Sequence, residues 1–153
     1  MNKYSVFVAA AVFLAGFSLR AELVHVYEET AAGGVTNRIS DSTLETGGDY
    51  ETSLAPEIAG YIFTHWSTTS KQVFESRDEE GRAWDSAPFH LYEQMTITAN
   101  YEEASKDDDG DGLADGYELY WYGNLDKSPN SDTDGDGYSF AAEINAGTNP
   151  HFS

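Results

Sequence analysis

The chain has 153 residues, 40% of them hydrophobic and 14% aromatic, which is enough to build a core and too much for a wholly disordered chain. Its 27 acids against 8 bases give a formal charge of −19, a surface that repels nucleic acid and anionic lipid. With no cysteine, a disulfide scaffold, a thiolate zinc site and a cysteine nucleophile are excluded, and divalent cations or a basic partner fit the chain better.

Residues 1–21, MNKYSVFVAAAVFLAGFSLRA, read as an export signal. Lys3 precedes an apolar run from Tyr4 to Leu19, and small Ala21 stands before Glu22. The run is shorter than the ~20 apolar residues a spanning helix needs. The mature chain is expected to carry no transmembrane segment and to work extracellularly, at a cell surface or in the periplasm. A small exported unit without disulfides needs another staple, and metal is a common one.

Residues 22–103 read as β-rich. In MTITANY, Met95, Ile97, Ala99 and Tyr101 point one way and Thr96, Thr98 and Asn100 the other. LVHVYEE (23–29) and GYIFTHW (60–66) carry the same β-branched and aromatic bias, and the glycines at 33–34 and 47–48 mark turns. TSLAPEI (52–58) is expected to hold one short helical turn, limited by Pro56. The span from Ser67 to Pro88, with RDEEGRAWD inside it, reads as a long loop with short strands. Gly60, Tyr61, Phe63, Trp66 and Tyr101 resemble the Listeria–Bacteroides (internalin B-type) repeat and the related mucin-binding-protein repeats. That resemblance implies a small β-grasp-like module of exported or surface proteins, with no catalysis.

Composition changes near Tyr101, where Asp and Gly begin to dominate. DDDGDGLADGYE lies on a twelve-residue calcium loop with Asp107, Asp109 and Asp111 at positions 1, 3 and 5 and Gly112 at the sharp turn. Leu113 offers a backbone carbonyl at position 7, Asp115 takes position 9 and Glu118 position 12. DTDGDGYSFAAE repeats the pattern with Asp132, Asp134, Asp136, Gly137, the Tyr138 carbonyl and Glu143. Phe140 occupies its ninth position and cannot ligate through its side chain, so water would complete that site. The spacing suits a hard cation that collects six to eight oxygens, because alternate residues of a tight loop converge on one centre. Two calcium ions are therefore expected. Helices are expected from about Asp115 to Tyr122, stopped at Gly123, and over SFAAEINAG, with Ser139 as N-cap and Gly147 past the end. No helix is expected before either loop, so each unit is half of an EF-hand.

The Asp107–Pro150 stretch resembles bacterial thrombospondin type 3-like repeats, and also dockerin modules, which would recruit a cohesin-type partner. Glu118 and Glu143 close these loops where dockerins usually place Asp. Together the segments predict an α+β chain: a signal (1–21), a β-grasp-like module (22–103) and a pair of calcium loop-helix units (104–153). The role expected is non-catalytic interaction or adhesion, through a protein or glycan partner, with structural calcium. His25, His65, His90 and His151 form no zinc pattern, Asp78, Glu79 and Glu80 read as a solvated turn, and no nucleophile elbow or phosphate loop occurs. Tyr120, Trp121 and Tyr122 are expected to pack rather than to form a binding platform.

Overall fold

The computed structural model describes residues 21–70, 74 and 76–152. Apart from Ala21, the expected export segment lies outside them. The described chain is mostly β-sheet with two short helices, α+β in content. Among these residues no helix is long and apolar enough to cross a membrane.

Strands β1 (Leu23–Ala32) and β2 (Val35–Glu45) form a hairpin whose last pair is Ala32 with Val35. Gly33 and Gly34 make the turn with φ of 56° and 75°, the left-handed pair whose twist suits a tight hairpin. Strands β4 (Tyr61–Thr68) and β6 (Met95–Glu103) complete a four-stranded sheet in the order β2-β1-β6-β4. The central pair β1–β6 is parallel and its neighbours are antiparallel. Short β3 (Asp49–Glu51) and β5 (Pro88–His90) pair as a separate ribbon.

The alternation in β6 sets the core. Met95, Ile97, Ala99 and Tyr101 are buried, and Val26, Trp66, Ala87, Phe89 and Leu91 close over them. Each large apolar side chain buried this way contributes ~1.5–3 kcal/mol. Glu28 shares the buried face of β1 and is fully engaged: Ser53 donates through N–H (2.8 Å) and hydroxyl (2.6 Å), and Ser40 through its hydroxyl (2.9 Å).

One expected element is absent. Residues 52–58 form no helical turn, because their backbone donors are committed elsewhere. Thr52 N–H donates to the Ala87 carbonyl and Ala55 N–H to that of Asp85, both at 3.0 Å, while Ser53 N–H serves Glu28. The segment therefore runs extended beside residues 85–87.

After β6 come loop 107–114, helix α1 (Asp115–Trp121), loop 122–139 and helix α2 (Phe140–Ala146). Ser139 caps α2 by accepting from Ala142 N–H at 3.4 Å, and Gly147 ends it at φ 70°. α1 packs on β4 and β6. Tyr122 meets Phe140 edge-on at 5.1 Å, which holds α2 to the end of α1.

Candidate metal centre

The two acidic loops share one backbone conformation. In each, the first Asp accepts the N–H groups of both glycines: Asp107 those of Gly110 (2.8 Å) and Gly112 (3.0 Å), Asp132 those of Gly135 (2.8 Å) and Gly137 (3.0 Å). The second Asp accepts from the third at 3.2 Å (Asp109 from Asp111, Asp134 from Asp136). The third accepts from the residue two further on, Leu113 at 2.9 Å or Tyr138 at 2.8 Å. The residue before each loop accepts from position 9: Lys106 O from Asp115 N–H at 2.9 Å, Ser131 O from Phe140 N–H at 2.7 Å. Gly112 and Gly137 both sit at φ 94°, a turn that a side chain would strain.

This wiring converges carboxylates. Asp107, Asp109 and Asp111 present oxygens within 4.8 Å of one another, and so do Asp132, Asp134 and Asp136. The closing acids are buried. Glu118 is 0% exposed and neither of its oxygens finds a hydrogen-bond partner; Glu143 is 3% exposed with Oε2 unpartnered. An uncompensated carboxylate in such a place is costly. Burial first, then the Asp111 and Asp109 charges, push Glu118 up to about 7, while the backbone of Lys127 pulls weakly the other way without meeting hydrogen-bond geometry. Burial and the charges of Asp134, Asp136 and Asp132 likewise raise Glu143. A divalent cation would satisfy these orphaned oxygens and relieve the repulsion, and an all-oxygen donor set suits a hard ion. The residues present therefore fit calcium.

The loops differ at position 9. Asp115 is 1% exposed; its Oδ1 accepts Asp108 N–H at 2.8 Å, and its Oδ2, without a hydrogen bond, lies 3.4 Å from the Lys106 ammonium. Lys106 also reaches Glu102 (3.2 Å) and Asp108 (3.0 Å). In the second loop Phe140 fills this slot and buries its ring against Tyr122. Tyr138, the carbonyl position of that loop, turns an exposed ring outward, whereas Leu113 is buried.

The aromatic run of α1 also has polar partners in the β unit, Asp85 and Arg82, which no sequence pattern announces. The Tyr120 hydroxyl donates to Asp85 (2.6 Å) and accepts from Arg82 Nε (3.0 Å) and Nη2 (2.8 Å). The aromatic run thus packs: Tyr120 edge-on against Phe63, Trp121 and Tyr122 against His151. The 77–85 insert, inside the span expected to be a long loop with short strands, closes on itself by an Arg77–Ala83 bridge and forms the platform under α1. The available signal was Arg77 and Arg82, two of only 8 bases, set close together within an acidic chain. A cavity of about 340 Å³ lies along this seam, lined by Ile62, Phe63, Tyr117, Tyr120, Trp121 and Ile144 among others. His65 hydrogen-bonds Thr64 at 3.0 Å, and burial followed by the Arg77 charge lowers its pKa.

Residues 107–120 and 132–151 match the family model for the bacterial TSP3 repeat. The match covers the two acidic loops, α2, and α1 up to Tyr120. Comparison with curated proteins and with solved structures returns no match.

Proposed function

We propose that this chain is an exported, non-catalytic calcium-binding protein that holds two structural calcium ions in its C-terminal loops beside a β-grasp-like unit. One observation carries the reading: two loops that share one pattern of aspartate-to-backbone bonds each converge three aspartates near a buried glutamate with oxygen left unpartnered. The match to the bacterial TSP3 repeat over the same residues supports it. The ligands would be Asp107, Asp109, Asp111, Glu118 and the Leu113 carbonyl in the first loop, with Asp115 behind them. Asp132, Asp134, Asp136, Glu143 and the Tyr138 carbonyl would serve the second. When bound, calcium supplies charge and coordination; the chain's own part is to hold these oxygens convergent.

The β-grasp-like reading draws support from the mixed sheet, whose first and last strands pair in parallel at its centre. No helix crosses from β2 to β4 among the described residues, so the module would be a reduced version. Export rests on residues 1–21 as a sequence. An adhesive role, through a protein or glycan partner, follows from export together with a rigid calcium unit. Calorimetric titration of calcium into the chelator-stripped chain, with circular dichroism, tests the core of the proposal. Two binding events with a gain of helix support it, at affinities of ~10⁻⁴–10⁻³ M if the sites behave like other extracellular modules. No heat and no helix would reduce the loops to an acidic tail.

A further inference from the structure

Helix α1 has two working faces. Asp115 and Glu118 belong to the first loop, whereas Gly116 and Tyr120, four residues apart, meet the β unit. Gly116 is buried against Ile62 of β4. A Cβ there would stand 2.7 Å from the Ile62 Cβ and 3.0 Å from its Cδ1, closer than side chains tolerate. The Tyr120 carbonyl accepts from Ala83 N–H at 2.7 Å and from Arg77 Nη1 at 3.2 Å. The same Arg77 spans the Gly81 and Thr64 carbonyls at 2.8 and 3.2 Å, so it bolts the end of α1 to the platform and to β4. Arg82 and Asp85, themselves paired at 2.7 Å, grip the Tyr120 hydroxyl. Glu118 lies between Gly116 and Tyr120 on a helix of seven residues. The helix cannot shift at either anchor without moving that carboxylate.

We propose that Gly116, Tyr120 and Arg77 are positioning residues for the first calcium site, acting through α1. The β unit fixes the helix that carries Glu118, and calcium at the first loop in return tightens the docking of α1 on β4. Coupling of this kind is reciprocal. The proposal rests on the calcium reading above and goes beyond it, since none of the three residues is a ligand. The second loop is linked to the β unit only indirectly, because Phe140 and the turn after α2 rest on Tyr122 and Trp121 at the far end of α1, beyond the anchors, so it should respond less.

Gly116→Ala separates the alternatives by sign. Alanine is the better helix former, so a helix independent of the sheet would bind calcium as tightly or more tightly. A docked helix must move off Ile62 and carry Glu118 with it. Calcium chloride is titrated calorimetrically into the full chain carrying Glu143→Gln, so that only the first loop reports. Gly116→Ala is expected to weaken this site about tenfold or more, within the usual range of coupling. Arg77→Ala, which leaves every loop and helix residue in place, is expected to weaken it severalfold. In the Glu118→Gln chain, where only the second loop reports, both substitutions should shift affinity clearly less than at the first site. Unchanged or tighter binding by the first site in both variants overturns the coupling and leaves the calcium reading standing. Equal weakening of both sites overturns it too, as plain destabilisation. Absence of calcium uptake by the unsubstituted chain removes both readings. Should Gly116→Ala lose the native emission of buried Trp66, Arg77→Ala decides alone.

Discussion

Residues 22–103 and 107–152 hold their shapes by opposite means. The first unit rests on apolar burial, with Trp66, Leu91, Met95 and Ile97 all but inaccessible and, among its described residues, one deeply placed acid, Glu28, met by three donors. The second places Asp115, Glu118 and Glu143 where the first has hydrocarbon, and leaves oxygens of each without a hydrogen bond. A core of the first kind is complete in itself. A core of the second kind would be completed by a cation; until its charge is matched, the burial that stabilises one unit penalises the other.

Chelation should break this symmetry most visibly. Stripping calcium is expected to abolish most of the helical signal of α1 and α2 while the β unit keeps its fold, read by far-ultraviolet circular dichroism beside Trp66 emission. Thermal melts should then show loss of helix only in the calcium-bound chain, and without calcium a single transition, that of the β unit. The converse is Ile97→Ala, which removes buried volume from the sheet core and should cost ~2–5 kcal/mol with or without calcium. Loss of both units on chelation would mean that the sheet cannot stand without α1.

Glu118→Gln sharpens the contrast within one residue. In the presence of calcium it should weaken the first site roughly ten- to a hundredfold, since ligand charge sets affinity in such loops. Without calcium it should stabilise the chain, because the buried charge that repels Asp109 and Asp111 is gone. Protonation should act in the same sense. Glu118 titrates at about 7 in the folded chain, above the ordinary carboxylate value of 4.5. A raised folded-state pKa gives stability that is full below about 4.5 and lost as pH climbs through about 7. The calcium-free chain should therefore melt higher at pH 5 than at pH 8. Calcium needs the carboxylate ionised, so affinity at the first loop should fall by up to about tenfold per unit below pH 7. A calcium-free melt that rises with pH would contradict the placement of Glu118.

Local pattern explains what was legible. Strict alternation announced β6, and β1 and β4 followed from their β-branched and aromatic runs. The bonding pattern of the acidic loops was legible because it runs between neighbours no more than nine residues apart. The Ser139 cap and the Gly147 stop belong to the same class. Strand β2 escaped because VTNRISDSTLE lies at the sheet edge, exposed over much of its length, and shows no apolar stripe. β3 and β5 are three residues each, too short to show a period. The seam was hidden for another reason: Arg77 and Tyr120 lie 43 residues apart, and Gly116 matters only because Ile62 stands over it. Contacts of that range leave no periodic trace.

Lys106 stands where the two units meet, and it yields the smallest effect. It follows β6, precedes Asp107, and places its ammonium among Glu102, Asp108 and Asp115. Those three acids raise its pKa, Asp108 first, so it stays charged across the working range. The second loop has Ser131 at the equivalent place and no cation there. A fixed positive charge beside a cation site does two opposing things: it eases the repulsion of the calcium-free loop, and it competes with the incoming ion. Lys106→Met removes both. The calcium-free chain should lose a little stability, and the first site should bind calcium a few-fold more tightly at low salt, with the gain shrinking as ionic strength rises. The second site should not respond. If Lys106→Met instead weakens the first site, the lysine is acting as a strut that holds Asp115 in place, and the first loop, like the β unit, would owe its form to internal partners.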